Sequence, residues 1–198
     1  MNTNAMPDIG GAGHVMRLWL VRHARPLVET GLCYGTLDVT ADEEETAAAA
    51  QRLAQLLPPS VEVLVSPRRR CAQLAQALAA LRPDLPARVE PRLAEMDFGG
   101  WEGRLWNDLP RAELDAWAAE FAHYRAGLTG ESTAQFVARV GRLLGESRAA
   151  GGDQAWITHG GVFKAMLVHQ GGAGLPARVD WPRQSLAWGD SHLFHVED

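Results

Sequence analysis

Cysteine is scarce in this 198-residue chain, long apolar runs are missing, and positive charge is in deficit, and each shortage removes a class of proteins. Cys33 and Cys71 are too few for a disulfide framework and stand at no metal-ligand spacing, so they read as free thiols of a reducing cytoplasm. No apolar stretch approaches the roughly 18 residues of a membrane span. The first sixteen residues contain neither Lys nor Arg, which a signal peptide needs. With 19 basic against 24 acidic residues the formal net charge is −5, which disfavours a general nucleic-acid or anionic-membrane binder. Any anion site must therefore be local, and the expected partner is a small molecule.

What is present is ordinary globular composition, 46% hydrophobic and 22% charged, at a length suited to one domain. Residues 1–16 read as a disordered leader and 17–198 as the folded domain. Met16 directly precedes the first apolar run and is a candidate start beside Met1.

That run, Leu18 to Val21, delivers Arg22-His23 into a loop broken by Pro26, as a buried strand with a functional end would. Thr40-Ala41-Asp42-Glu43 has the form of a capping box for a helix carrying Ala49, Leu53, Leu56 and Leu57, which Pro58-Pro59 ends. Val61 to Val65 is the next strand. Ser66 and Pro67 are then read as N-cap and first residue of a helix with Cys71, Leu74, Leu78 and Leu81 on its apolar stripe. Alternating strands and helices predict a mostly parallel sheet with right-handed crossovers.

From about 99 to 131 the rhythm changes to Gly99-Gly100, three tryptophans, and a helix with Leu114, Trp117, Phe121 and Tyr124 on one face. This stretch is read as a helical lid insertion whose aromatics serve packing. Ser132 to Gln135 offers a second capping box, and Gly151-Gly152 closes the helix it starts. Gln154 to Thr158 forms a strand that ends in His159-Gly160-Gly161, where glycines before a helix let backbone N–H groups face an anion. Ser185 to Trp188 and His192 to Val196 are predicted as two strands across a turn, an antiparallel edge near the C-terminus.

Singly these features are weak, but together they bring Arg22, His23, Arg70 and His159 to one edge of a doubly wound sheet, with Glu95 able to join them. Arg68-Arg69-Arg70 at a helix start opposes the helix dipole, a conflict that an anionic ligand would relieve. Two histidines, two arginines and one acid suit phosphoryl transfer, because guanidinium forks match phosphate oxygens and a neutral imidazole is a competent nucleophile.

The blocks Arg22-His23-Ala24, Ser66-Pro67-Arg68-Arg69-Arg70-Cys71-Ala72-Gln73, Leu93 to Gly103, Gly130-Glu131-Ser132 and Ile157 to Gly161 resemble, in order, those of the histidine phosphatase (phosphoglycerate-mutase-like) superfamily. The resemblance implies a three-layer α/β/α sandwich, no cofactor and no metal. It further implies that His23 is the nucleophile, that Arg22, Arg70, His159 and Gly160 bind the phosphate, and that Glu95 is general acid and then base. Ala24, Arg25, Pro26 and Glu29 depart from the family pattern, and Arg25 is expected to supply the phosphate contact usually made by an Asn. The loop from Arg22 through Cys33-Tyr34-Gly35 to Asp38 resembles the α-ribazole phosphatase type of cobalamin biosynthesis. The expected activity is a metal-independent phosphomonoesterase with a phosphohistidine intermediate; a mutase, or a phosphatase for another small ester such as a sugar phosphate, is the alternative.

Overall fold

The computed structural model describes residues 15–172, 174–175 and 177–197. The expected leader, except its last two residues, lies outside them; Met16 is buried and is the first residue of a strand. The strands are β1 (Met16–Arg22), β2 (Glu62–Val65), β3 (Ala87–Val89), β4 (Gln154–Thr158) and β5 (Ser191–Val196). The α-helices are α1 (Glu43–Leu56), α2 (Arg69–Leu81), α3 (Arg111–Ala119), α4 (Thr133–Ala150) and α5 (Gly160–Gln170). The strands form one sheet in the order β3-β2-β4-β1-β5, parallel except for β5, which pairs antiparallel with β1.

Alternation along each strand divides the core in two. Leu18, Leu20, Leu64 and Trp156 point to the face covered by α4 and α5, whereas Trp19, Val21, Val63, Val65, Ala155 and Ile157 point to the face covered by α1 and α2. Full burial of each such Leu, Val or Ile contributes about 1.5–3 kcal/mol, so neither face of the sheet is left bare. The result is the expected α/β/α sandwich with an antiparallel edge. The chain leaves β1 toward α1 on one face and leaves β4 toward α5 on the other. Since β1 and β4 are neighbours, the crevice at their carboxyl ends is the place where such a sheet holds a ligand.

Several local expectations give way to tertiary contacts. Asp42, not Thr40, caps α1 by accepting from the Glu45 N–H at 3.0 Å, because the Thr40 carbonyl is engaged by the Leu27 N–H. Arg68 rather than Ser66 is the cap residue of α2, since the Ser66 hydroxyl is held by a histidine across the sheet. Ser185 to Trp188 forms no strand: the chain turns so that the Gly189 N–H reaches the carbonyls of Arg22 and His23, which anchors this segment to the end of β1. The helix of the 99–131 segment ends at Ala119, which frees Phe121 to pack against Trp181 and Tyr124 to stack on Trp101. Strand β3, three residues on the sheet edge, is too short for a periodic signal. The Ser132/Gln135 capping box forms as expected.

The loops at residues 97–101 and 126–130 lie backbone against backbone, which only glycine permits. Gly127 has φ +54°, and a Cβ there would meet the Phe98 carbonyl oxygen at 2.3 Å and the Gly100 nitrogen at 2.5 Å. Gly127→Ala combines the left-handed penalty of about 1 kcal/mol with about 2 kcal/mol of overpacking. We expect a fall in Tm of about 6–12 °C by calorimetry.

Candidate active site

His23 directly follows β1 and His159 directly follows β4, and the parallel register Arg22↔Thr158 sets the two imidazoles side by side, ring centroids 5.2 Å apart and edge to face. The Nδ1–H of His23 donates to its neighbour's carbonyl, Ala24 O, at 2.6 Å. This fixes the tautomer and leaves Nε2 with its lone pair, which accepts from Arg70 Nε at 3.2 Å. Burial and then the Arg70 charge lower the His23 pKa to about 3, so the ring is neutral at physiological pH.

Arg70 is itself fully buried at the start of α2, and its two terminal nitrogens donate to the carbonyls of Leu37 and Gly35, both at 2.8 Å. The loop bearing those carbonyls is in turn pinned by Glu102. Its carboxylate accepts from the backbone N–H groups of Gly35, Thr36, Leu37 and Phe98 at 2.8–3.1 Å. Nothing in the spacing of the sequence distinguishes Glu102 as the anchor of this chain of contacts. The three-arginine conflict is resolved differently from expectation: Asp38 accepts from the Arg69 N–H at 2.7 Å, and Arg70 turns inward.

Arg22 reaches the other side of His23. Its Nη1 donates to Leu186 O at 2.7 Å, its guanidinium lies 5.2 Å from the Trp188 ring centroid, and its buried Nε has no hydrogen-bond partner. Glu95 closes the site: Oε2 accepts from the Gly161 N–H at 3.0 Å, at the start of α5, and Oε1 accepts from the Met96 N–H at 3.0 Å. A Cβ on Gly161 would lie 2.0 Å from Oε1, so glycine is required there for the carboxylate to dock.

A cavity of about 840 Å³ opens over these groups, lined near the sheet by Arg22, His23, Tyr34, Glu95 and Gly160. Two expected phosphate ligands are placed differently. Arg70 and His159 are fully buried beside His23 and are not among the residues lining the cavity; Arg70 is on His23 Nε2, and His159 Nε2 shares a 2.7 Å hydrogen bond with Ser66 Oγ. Arg25 is farther from expectation, because its guanidinium is taken by Asp42 and Glu45, each at 2.8 Å, on the outer surface. The aromatics read as packing also have a second role, since Trp106, Trp117 and Phe121 form the cavity wall. Cys71 lies 3.5 Å from His159, but burial pushes its thiol up to about 12, so the pair is no thiolate–imidazole dyad.

A neutral imidazole with a fixed tautomer, an unpaired guanidinium N–H and a carboxyl group at one crevice can accept a phosphoryl group, neutralise it and manage the leaving proton. The family model for the histidine phosphatase superfamily (branch 1) matches residues 18–188. The chain belongs to this family. This histidine phosphatase resembles the adenosylcobalamin/alpha-ribazole phosphatase of Salmonella typhimurium, with 30% identity over 159 residues, 77% of this chain and 78% of the relative. It superimposes on the alpha-ribazole phosphatase from Shigella flexneri with TM-score 0.75 at 25% identity, covering 92% of this chain and 95% of that one. A mycobacterial glucosyl-3-phosphoglycerate phosphatase matches with TM-score 0.73 at 25% identity, covering 90% and 89%.

The buried imidazoles of this phosphatase give its stability a defined pH dependence. The His159 pKa also lies well below its ordinary value, through burial and then the Arg70 charge. An unfolded imidazole takes up a proton near pH 6.5, whereas folded His23 resists until about pH 3. The unfolded state therefore binds more protons in that window, and stability falls as pH drops through it. For His23 the loss is about 2 kcal/mol at pH 5. Urea unfolding at pH 7.5 and pH 5.0 should show His23→Gln losing about 2 kcal/mol less than wild type across that span.

Proposed function

We propose that this phosphatase hydrolyses a small phosphate monoester without a metal, carrying the phosphoryl group on Nε2 of His23, and that the substrate is α-ribazole 5′-phosphate or a related cobamide phosphate of the cytoplasm. The observation that carries the mechanism is the Ala24 contact, which commits the His23 proton to Nδ1 and leaves Nε2 free to attack. The Nε2 lone pair forms the bond to phosphorus as the bond to the ester oxygen breaks. Glu95 gives a proton to the departing alkoxide, then takes one from the water that cleaves the N–P bond. Phosphate leaves, and His23 returns neutral with its Nδ1–H still on Ala24.

In this reading the unpaired Nε of Arg22 meets a phosphoryl oxygen, and Gly160 lets the helix start approach it. Arg70 now donates to the very lone pair that attacks, so its Nε–H passes to the phosphoryl group as the N–P bond forms. His159, neutral and held by Ser66, packs edge to face against His23 and keeps the attacking imidazole in place, a positioning role. The substrate assignment rests on the relatives named as α-ribazole phosphatases. A second reading, a phosphorylated sugar derivative, draws on the likeness to the mycobacterial enzyme.

Comparing kcat/KM across α-ribazole 5′-phosphate, sugar phosphates, phosphoglycerates and nucleotides separates these substrates; preference for any class but the first overturns the assignment. Quenching turnover in alkali should trap one acid-labile phosphoryl group per site. His23→Ala should abolish this species and lower kcat by at least about a thousandfold, roughly 4 kcal/mol of transition-state stabilisation. Retention of more than about a tenth of the rate would remove His23 as nucleophile. Activity should also survive dialysis against EDTA; loss of turnover that a divalent ion restores would overturn the metal-free mechanism.

A further inference from the structure

The cavity over His23 continues well beyond the space a phosphate group fills, and its far walls are built from two kinds of group. Trp106, Trp117, Phe121 and Trp181 are apolar, with Phe121 and Trp181 edge to face at 5.6 Å. Lys164, Arg178 and Arg183 line the same cavity. None of these three cations has an ion-pair partner among the described residues, in a chain whose formal net charge is −5. Most of the other surface arginines that line no cavity are paired, as Arg25, Arg82, Arg88, Arg92 and Arg111 are. Glu95 is the only acid among the lining residues, and it is already engaged at the start of α5.

Lys164, the chain's single lysine, sits one turn along α5 from Gly160, about 6 Å along the helix axis. Arg178 and Arg183 flank Trp181 in the sequence, and all three line the cavity. Two more donors are unpaired in the same walls: the Trp117 indole N–H and the Thr133 hydroxyl, both buried without a hydrogen-bond partner. Unpaired buried donors and self-repelling cations are costly unless a ligand supplies acceptors.

We propose that Lys164, Arg178 and Arg183 form an anion subsite for the leaving group, so that a phosphate monoester whose leaving group joins an apolar part to a second anionic group is favoured over its neutral counterpart of the same shape. The subsite rests on the reading that the ester itself is bound over His23. It acts on specificity and leaves the phosphoryl-transfer step unchanged. A carboxylate or phosphodiester would serve, because both present charged acceptor oxygens to the guanidinium forks.

The test uses 4-carboxybenzyl phosphate against its neutral counterpart, 4-carbamoylbenzyl phosphate, which have the same transferred group and nearly the same shape. The acid should have the higher kcat/KM by about tenfold, expressed in KM, and the advantage should shrink between about 50 and 500 mM salt. In Lys164→Gln/Arg178→Gln/Arg183→Gln the acid-to-amide ratio should fall to about one; a ratio cancels any general loss of activity. An acid-to-amide ratio of one or below in the wild type, or a ratio that survives the triple substitution, overturns the subsite. If neither ester is turned over, the phosphatase reading of the cavity fails instead. The subsite is then judged by calorimetric binding of 4-carboxybenzylphosphonate against the amide analogue, with equal affinities counting against it.

Discussion

The contact between Arg70 Nε and His23 Nε2 is the one on which the site depends. It sets a permanent positive charge 3.2 Å from a nitrogen that is kept unprotonated by burial and by that same charge. A buried guanidinium is costly unless its nitrogens find acceptors, and here both terminal nitrogens donate to carbonyls, those of Gly35 and Leu37. Those carbonyls are in position because four amides around Glu102 fix their loop, and Glu102 is in position because residues 97–101 interlock with 126–130 through glycine. The environment of His23 is therefore sustained by residues as distant in sequence as Gly127.

The same arrangement explains why the sheet topology matters. Parallel β1 and β4 end together, and the chain leaves them on opposite faces, so the crevice between them opens to a cavity that reaches His23. The α5 N-terminus contributes the Gly161 amide there, but Glu95 already occupies it. The same helix N-terminus thus holds a carboxylate through Gly161 while Gly160 lines the cavity.

The groups that line the cavity differ in how they are held. His23 and Glu95 are constrained by hydrogen bonds to the backbone around them. The 99–131 segment, α5 and residues 178–185 supply aromatic rings and unpaired cations to the same lining. In the proposed reading, substitutions in the first group disturb the imidazole's tautomer and charge, whereas those in the second change which ester is accepted.

The sequence by itself determined the alternation of strands and helices, and so a mostly parallel sheet, because short apolar runs and a helix periodicity near 3.6 are local signals, while the three-layer sandwich was implied by the family resemblance. It also determined the candidate reacting residues, because Arg22-His23, Arg70, Glu95 and His159 fall at element ends in an order that few chemistries share. Capping at Ser132 was likewise local and legible, since both halves of the box lie within four residues. Only the tertiary structure decided which arginine serves the site: Arg25 was captured by Asp42 and Glu45, and Arg70 was turned inward by carbonyls more than thirty residues away. It alone placed Ser66 on His159 instead of at a helix start, put Glu102 at the root of the Arg70 loop, and brought Lys164, Arg178 and Arg183 around one cavity. Hydrogen-bond partners chosen across 17 to 93 residues carry no periodic or spacing signal, so they are fixed only when the chain closes on itself.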